Sequence, residues 1–186
     1  MFGFSKRAPV CPECGSKLFV DAESGILRCP NLDCPAQVRV RIEHWCSASA
    51  MDISDADASM IAKLVAKGLV RDVAELYRLK LAEIASIEGM NLDSARRLFA
   101  AIAASRMRDP WRLLFGLSIP SLSPTDAQKL CEHFKAVDNV FAASVERLIP
   151  AGISEASARS IVHWHSDSVN RKLVKRLIKA GLNTRA

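Results

Sequence analysis

From Met51 onward, apolar side chains recur at intervals of three and four residues, as in Ile61, Leu64 and Val65 and again in Leu98, Phe99 and Ile102. That spacing lines one face of an α-helix and predicts a helical protein through the rest of the chain. Four short turns interrupt it: Asp55-Ala56-Asp57, Gly89-Met90-Asn91, Ser121-Leu122-Ser123 and Gly152-Ile153-Ser154, with starts 34, 32 and 31 residues apart. Six residues after each start stands Ile61, Ala95, Ala127 or Ala158, and nine after it stands Leu64, Leu98, Leu130 or Ile161. Self-similarity at this period marks one supersecondary unit used four times. The last residue of every turn (Asp57, Asn91, Ser123, Ser154) is a strong helix N-cap, and Pro124 suits the first helical position after Ser123.

Upstream the pattern changes. Lys17 to Ala22 and Ile26 to Arg28 predict two short strands about a Glu23-Ser24-Gly25 turn. Val38 to Trp45 alternates apolar and charged residues; it reads as a strand or as a helix leading into the next domain, with helix favoured. Around these strands stand Cys11-Pro-Glu-Cys14-Gly and Cys29-Pro-Asn-Leu-Asp-Cys34. Four thiolates brought together by two tight turns supply the sulfur shell of a structural Zn2+ site, closed to substrate because no histidine or carboxylate replaces a cysteine. Two disulfides are the alternative. The chain shows no signal peptide beyond an apolar lead at Met1 to Phe4, so a reducing cytoplasm, and with it the metal, is the expectation. Cys46 and Cys131 sit among apolar residues and read as buried free thiols.

The fold class that follows is mainly α: a small four-cysteine zinc module with a short β hairpin, then tandem helix-hairpin-helix repeats, four hairpins in two paired units. The expected divisions are a tail at 1–8, the zinc module at 9–37, a first hairpin pair at 38–108 and a second at 109–186, parted near Asp109-Pro110. With 186 residues, 49% of them hydrophobic, the chain is long enough for an ordinary core plus the metal-stapled module. No apolar run is long enough to span a membrane. A formal net charge of +6 favours an anionic partner, and the 6% of aromatic residues argues against a base-stacking single-strand platform.

In a helix-hairpin-helix, the turn exposes backbone amides at the start of the second helix, where they hold a DNA phosphate without reading sequence. Gly89-Met90-Asn91 and Gly152-Ile153-Ser154 are the candidate contacts. In the first hairpin Asp55 and Asp57 put negative charge where an anion would dock, and the first and third hairpins read as structural. Arg96 and Arg97 follow the second turn and Arg159 the fourth. Arg106, Arg108 and Arg112 lie around the link between the pairs. Arg171, Lys172, Lys175, Arg176 and Lys179 line one side of a terminal helix whose core side would be Val169, Leu173, Leu177 and Ile178.

These motifs together resemble the later part of bacterial NAD-dependent DNA ligase. The resemblance is carried by Cys11-Pro-Glu-Cys-Gly-Ser, Cys29-Pro-Asn-Leu-Asp-Cys-Pro-Ala-Gln37, Ile42-Glu-His-Trp45, Ala50-Met-Asp-Ile53, Leu64-Val-Ala-Lys-Gly-Leu-Val-Arg-Asp72, Leu76-Tyr77, Ile87-Glu-Gly-Met90, Leu113-Leu-Phe-Gly-Leu117 and Glu132-His-Phe134, and it runs from about residue 9 to 183. It implies a part that clasps duplex DNA, nicked duplex included, in repair or replication at the nucleoid. The family's catalytic lysine stands in a Lys-x-Asp-Gly setting, and no Asp-Gly pair occurs here. The chain by itself is therefore expected not to seal nicks. A scaffold that binds a separate catalytic or repair protein, and a piece of an active ligase, are the alternatives.

Overall fold

The computed structural model describes residues 9–20, 25–31 and 33–186. The expected tail at 1–8, and residues 21–24 of the expected first strand and turn, lie outside the described residues. β1 (Phe19–Val20) and β2 (Leu27–Arg28) form an antiparallel ribbon pairing Phe19 with Arg28 and Val20 with Leu27. The first strand begins later than its composition predicts because Lys17 bridges back to Val10 instead.

The ribbon leads into α1 (Pro35–Cys46), so the alternating segment is a helix. Its buried residues are Val38, Ile42, Trp45 and Cys46, a helical spacing, while Val40 faces solvent. The helix starts before Val38 because Pro35, with its fixed φ and missing N–H, fits the first helical position. Then come α2 (Ala58–Ala66), α3 (Leu81–Ala85), α4 (Leu92–Ser105), α5 (Pro110–Gly116), α6 (Pro124–Phe134), α7 (Val137–Ala142), α8 (Val145–Leu148), α9 (Glu155–Ser166) and α10 (Ser168–Lys179). Packing of α1 on α2, α3 on α4, α5 on α6 and α8 on α9 gives the four hairpins.

The repeat read from the sequence is physically expressed. Ile61, Ala95, Ala127 and Ala158 are all buried, as are Leu64, Leu98, Leu130 and Ile161. One apolar cluster runs from Val38 to Leu182. None of the zinc module's described residues belongs to it, and Val10, Phe19, Val20 and Leu27 are exposed.

Trp45 joins the parts. It is fully buried, and its indole Nε1 donates to Tyr77 Oη at 3.1 Å. Tyr77 Oη in turn lies 3.0 Å from Ser105 Oγ, which donates to Ile102 O. The other side of the indole is covered by Gly116 of α5, where an added Cβ would stand 2.9 Å from Trp45 Cε3. Gly116→Ala should therefore destabilise the chain by about 1–3 kcal/mol, measured by urea denaturation, because rigid ring and backbone must both yield.

Candidate metal centre and nucleic-acid interface

Two tight turns and the start of α1 deliver the four cysteines. Gly15 takes φ +70°, and its amide donates to Cys11 O at 2.8 Å, closing the first turn. Cys34 is the residue from which α1 departs. The sulfurs of Cys11, Cys14, Cys29 and Cys34 all lie within 4.8 Å of one another. Cys11 Sγ is 3.7 Å from Cys34 Sγ, and Cys14 Sγ is 3.5 Å from Cys29 Sγ. A tetrahedral zinc with Zn–S bonds near 2.3 Å requires sulfurs about 3.8 Å apart. A disulfide needs roughly 2.05 Å, so the paired-bridge alternative does not fit.

Cys14 differs from Cys29 and Cys34 in how readily its thiol loses a proton. Hydrogen bonds with Ser16 pull the Cys14 thiol down to about 6, whereas desolvation pushes Cys29 up to about 12 and Cys34 upward as well. Four thiolates this close need a dication to stay ionised together. The donor set is all sulfur and closed, which is a structural zinc site. Cys46 and Cys131 are buried free thiols, each pushed up to about 12 by desolvation, which disfavours the thiolate that would react.

At the hairpins, each predicted cap is formed. Asp57 Oδ1 accepts from Met60 N at 2.7 Å, Asn91 Oδ1 from Ser94 N at 2.8 Å, Ser123 Oγ from Asp126 N at 3.0 Å, and Ser154 Oγ from Ser157 N at 3.0 Å. A cap takes one amide of the helix's first turn and leaves the others available to an anion. Gly89 and Gly152, at the same place in their repeats, have φ of +78° and +84°. Ser121 holds φ +61° there too, so the third turn keeps this left-handed shape despite its side chain, whereas Asp55 is absent from the positive-φ residues.

The arginines singled out from sequence are mostly engaged. Arg96 pairs with Asp93 and Arg159 with Glu155, so each balances an acid in the first turn of its own helix. Arg97 reaches Asp55 of the first turn at 3.5 Å. Arg106 donates to Tyr77 O and Ala180 O, Arg108 pairs with Asp52, and Arg112 donates to Ala48 O and Ala50 O. On α10, Arg171 donates to the carbonyls of His165 and Ser166 that end α9, and Arg176 pairs with Asp72. Among the described residues, no ion pair holds Lys172, Lys175 or Lys179. The expected core side of α10 needs one correction. Val174 and Leu177 are buried and Leu173 and Ile178 pack beside them, but Val169 is exposed, because it stands a turn before the core begins.

The sequence pattern alone did not single out Lys63, Lys67 and Lys129. Lys63 Nζ donates to Glu88 O at 2.9 Å, Lys67 Nζ to Ser86 O at 2.7 Å, and Lys129 Nζ to Gly152 O at 2.9 Å. Their signal was available: Lys63 and Lys129 each stand eight residues beyond the first residue of a turn.

Residues 10–36 match the family model described as the NAD-dependent DNA ligase C4 zinc finger domain, and residues 112–174 match the helix-hairpin-helix motif. The chain is 41% identical over 174 residues to the DNA ligase of Synechococcus sp. (strain JA-3-3Ab), covering 92% of this chain and 26% of that protein. It is homologous to the zinc-finger and helix-hairpin-helix region of DNA ligases. The DNA ligase of Rubrobacter xylanophilus is 40% identical over 93% of this chain and 25% of its own length, and that of Methylacidiphilum infernorum 39% over the same shares. The ligase-type region thus spans about a quarter of the length of the curated relatives it matches. No helix of the described residues is long and apolar enough to cross a membrane.

Proposed function

We propose that this chain grips double-stranded DNA through backbone phosphates, without reading base sequence, and serves repair or replication of nucleoid DNA in the cytoplasm. Its grip extends to nicked duplex. The observation that carries the reading is the recurrence of one device. Gly89-Met90-Asn91 and Gly152-Ile153-Ser154 have left-handed glycines and capped helix starts at equivalent positions, in a chain homologous to DNA ligases. Lys172, Lys175 and Lys179 add charge from α10. Arg96, Arg97, Arg159, Arg171 and Arg176 contribute when a phosphate competes with their present partners. No bond-making step is placed on the chain, which contributes grip rather than chemistry.

Fluorescence anisotropy of labelled nicked and intact duplexes at two salt concentrations tests the reading. Binding should weaken steeply with salt, since neutralised phosphates release counterions. Gly89→Asp with Gly152→Asp should weaken it by about thirtyfold, from roughly 1 kcal/mol of charge repulsion at each turn. Absence of binding at low salt, or binding indifferent to salt, would overturn it.

A protein partner is the second reading, favoured by the apolar side chains exposed on the ribbon and by the acidic pair Asp55 and Asp57. A stable partner recovered after nuclease treatment, with no affinity for duplex, would favour it.

A further inference from the structure

Lys63 and Lys129 are placed alike in the two hairpin pairs. Each lies on the second helix of the leading hairpin, α2 or α6, and each reaches across to the turn of the trailing hairpin, with Nζ 2.9 Å from Glu88 O or from Gly152 O. Each ammonium also lies against the left-handed glycine of that turn. A Cβ added to Gly89 would stand 3.6 Å from Lys63 Nζ, and one added to Gly152 would stand 3.9 Å from Lys129 Nζ. The same juxtaposition therefore arises twice, from different local sequences.

Charge accounting separates these lysines from the neighbouring arginines. Arg96, Arg97 and Arg159 each face a carboxylate that offsets their charge. Among the described residues, Lys63 and Lys129 face none. An ammonium has three donors, and a main-chain carbonyl takes one while leaving the positive charge whole. Arg97, at the position equivalent to Lys63 in the second hairpin, is held by Asp55, and the fourth hairpin has uncharged Ser160 there. Lys67 also lacks a carboxylate but bonds Ser86 O, three residues before Gly89, so among the described residues each pair keeps one such cation directly against its left-handed glycine.

We propose that Lys63 and Lys129 are the main side-chain ligands for DNA backbone phosphates at the Gly89 and Gly152 turns, in place of the arginines nearest those turns in sequence. This rests on the duplex-binding reading above. It makes the grip two-point, one cation from each pair, each tied to its turn by a hydrogen bond that limits how far the ammonium can stray.

The test is duplex binding by the full chain across a salt series. The variants are Lys63→Met, Lys129→Met and the double, which keep the apolar stem and remove the charge. The charge-keeping Lys63→Arg and Lys129→Arg are measured beside them. Lys135→Met, at the far end of α6 from its turn, is the control. Each lysine-to-methionine change should make the slope of log K against log salt shallower by about 0.9. Affinity should fall on the order of fivefold per lysine, the worth of one unit-charge contact in water. The arginine variants and Lys135→Met should keep the wild-type slope. Were the lysines only props for the turns, the methionine variants would lower the melting temperature and keep the slope, and the proposal would be wrong. A wild-type chain that binds duplex while the double variant matches its slope and affinity also overturns it, yet spares the duplex-binding reading. A wild-type chain that does not bind ends both.

Discussion

Replacing Cys34 by serine should leave the purified chain without zinc, where the wild type carries one ion per molecule. A hydroxyl is a poor substitute for a thiolate in an all-sulfur shell, and three remaining sulfurs leave a coordination position to water. The module has little else to hold it: among its described residues Val10, Phe19, Val20, Ile26 and Leu27 are exposed, none belongs to the core cluster that begins at Val38, and one exposed ion pair, Glu13 with Arg39, ties it to α1. In such a small unit, metal affinity is folding free energy, about 10–16 kcal/mol in isolated zinc-finger peptides. Residues 10–36 should therefore open as a unit. The helices should remain, with far-UV circular dichroism largely unchanged, because the core from Val38 to Leu182 includes none of the module's described residues. Acid should act in the same direction as the substitution, since protons compete with the metal for sulfur. Metal analysis after gel filtration reads the result. Retention of stoichiometric zinc in Cys34→Ser would refute the four-sulfur assignment.

Trp45→Ala is expected to be the most damaging substitution within the helical part, costing about 3–5 kcal/mol. That is a large share of the roughly 5–15 kcal/mol that holds a domain of this kind together. The indole fills the space between α1, α5 and the segment bearing Tyr77, so truncation leaves a cavity bounded by Gly116, which has no side chain to move in. It also removes the donor to Tyr77 Oη, a hydroxyl whose ionisation desolvation has pushed up to about 12. Trp45→Phe separates the two contributions. It keeps much of the volume and loses only the hydrogen bond, for about 1–2 kcal/mol. Urea denaturation followed by circular dichroism distinguishes them. A loss below about 1 kcal/mol for Trp45→Ala would show that α1 is held by something other than this indole.

The elements legible in the sequence are those fixed by local chemistry. Cap residues at Asp57, Asn91, Ser123 and Ser154 bond amides three positions on, and three-and-four spacing selects the buried face whatever the rest of the chain does. Cysteine spacing is equally local, so the zinc site is readable before any fold is known. What escapes such reading depends on distant pairing. Asp55 reads locally as uncompensated charge at a phosphate site, yet Arg97 from the next hairpin lies against it. Arg176 reads as a surface cation on α10, yet Asp72, 104 residues away in sequence, holds it. Ser121 shows the converse case: composition argues against a glycine-like turn, and the surrounding hairpin imposes that backbone on serine at the modest strain such residues bear. Val169 falls on the wrong side of the expectation because periodicity tells which face is apolar but not where the core stops.

Residues 182–186 bond to both hairpin pairs. Asn183 N donates to Arg106 O, just past α4, while Thr184 O accepts from Val137 N and Ala186 N donates to Lys135 O in the second pair. Rotating one pair against the other would break these three bonds as well as disturb the apolar core the pairs share, so the chain's last residues resist such drift from the surface while the core resists it from within.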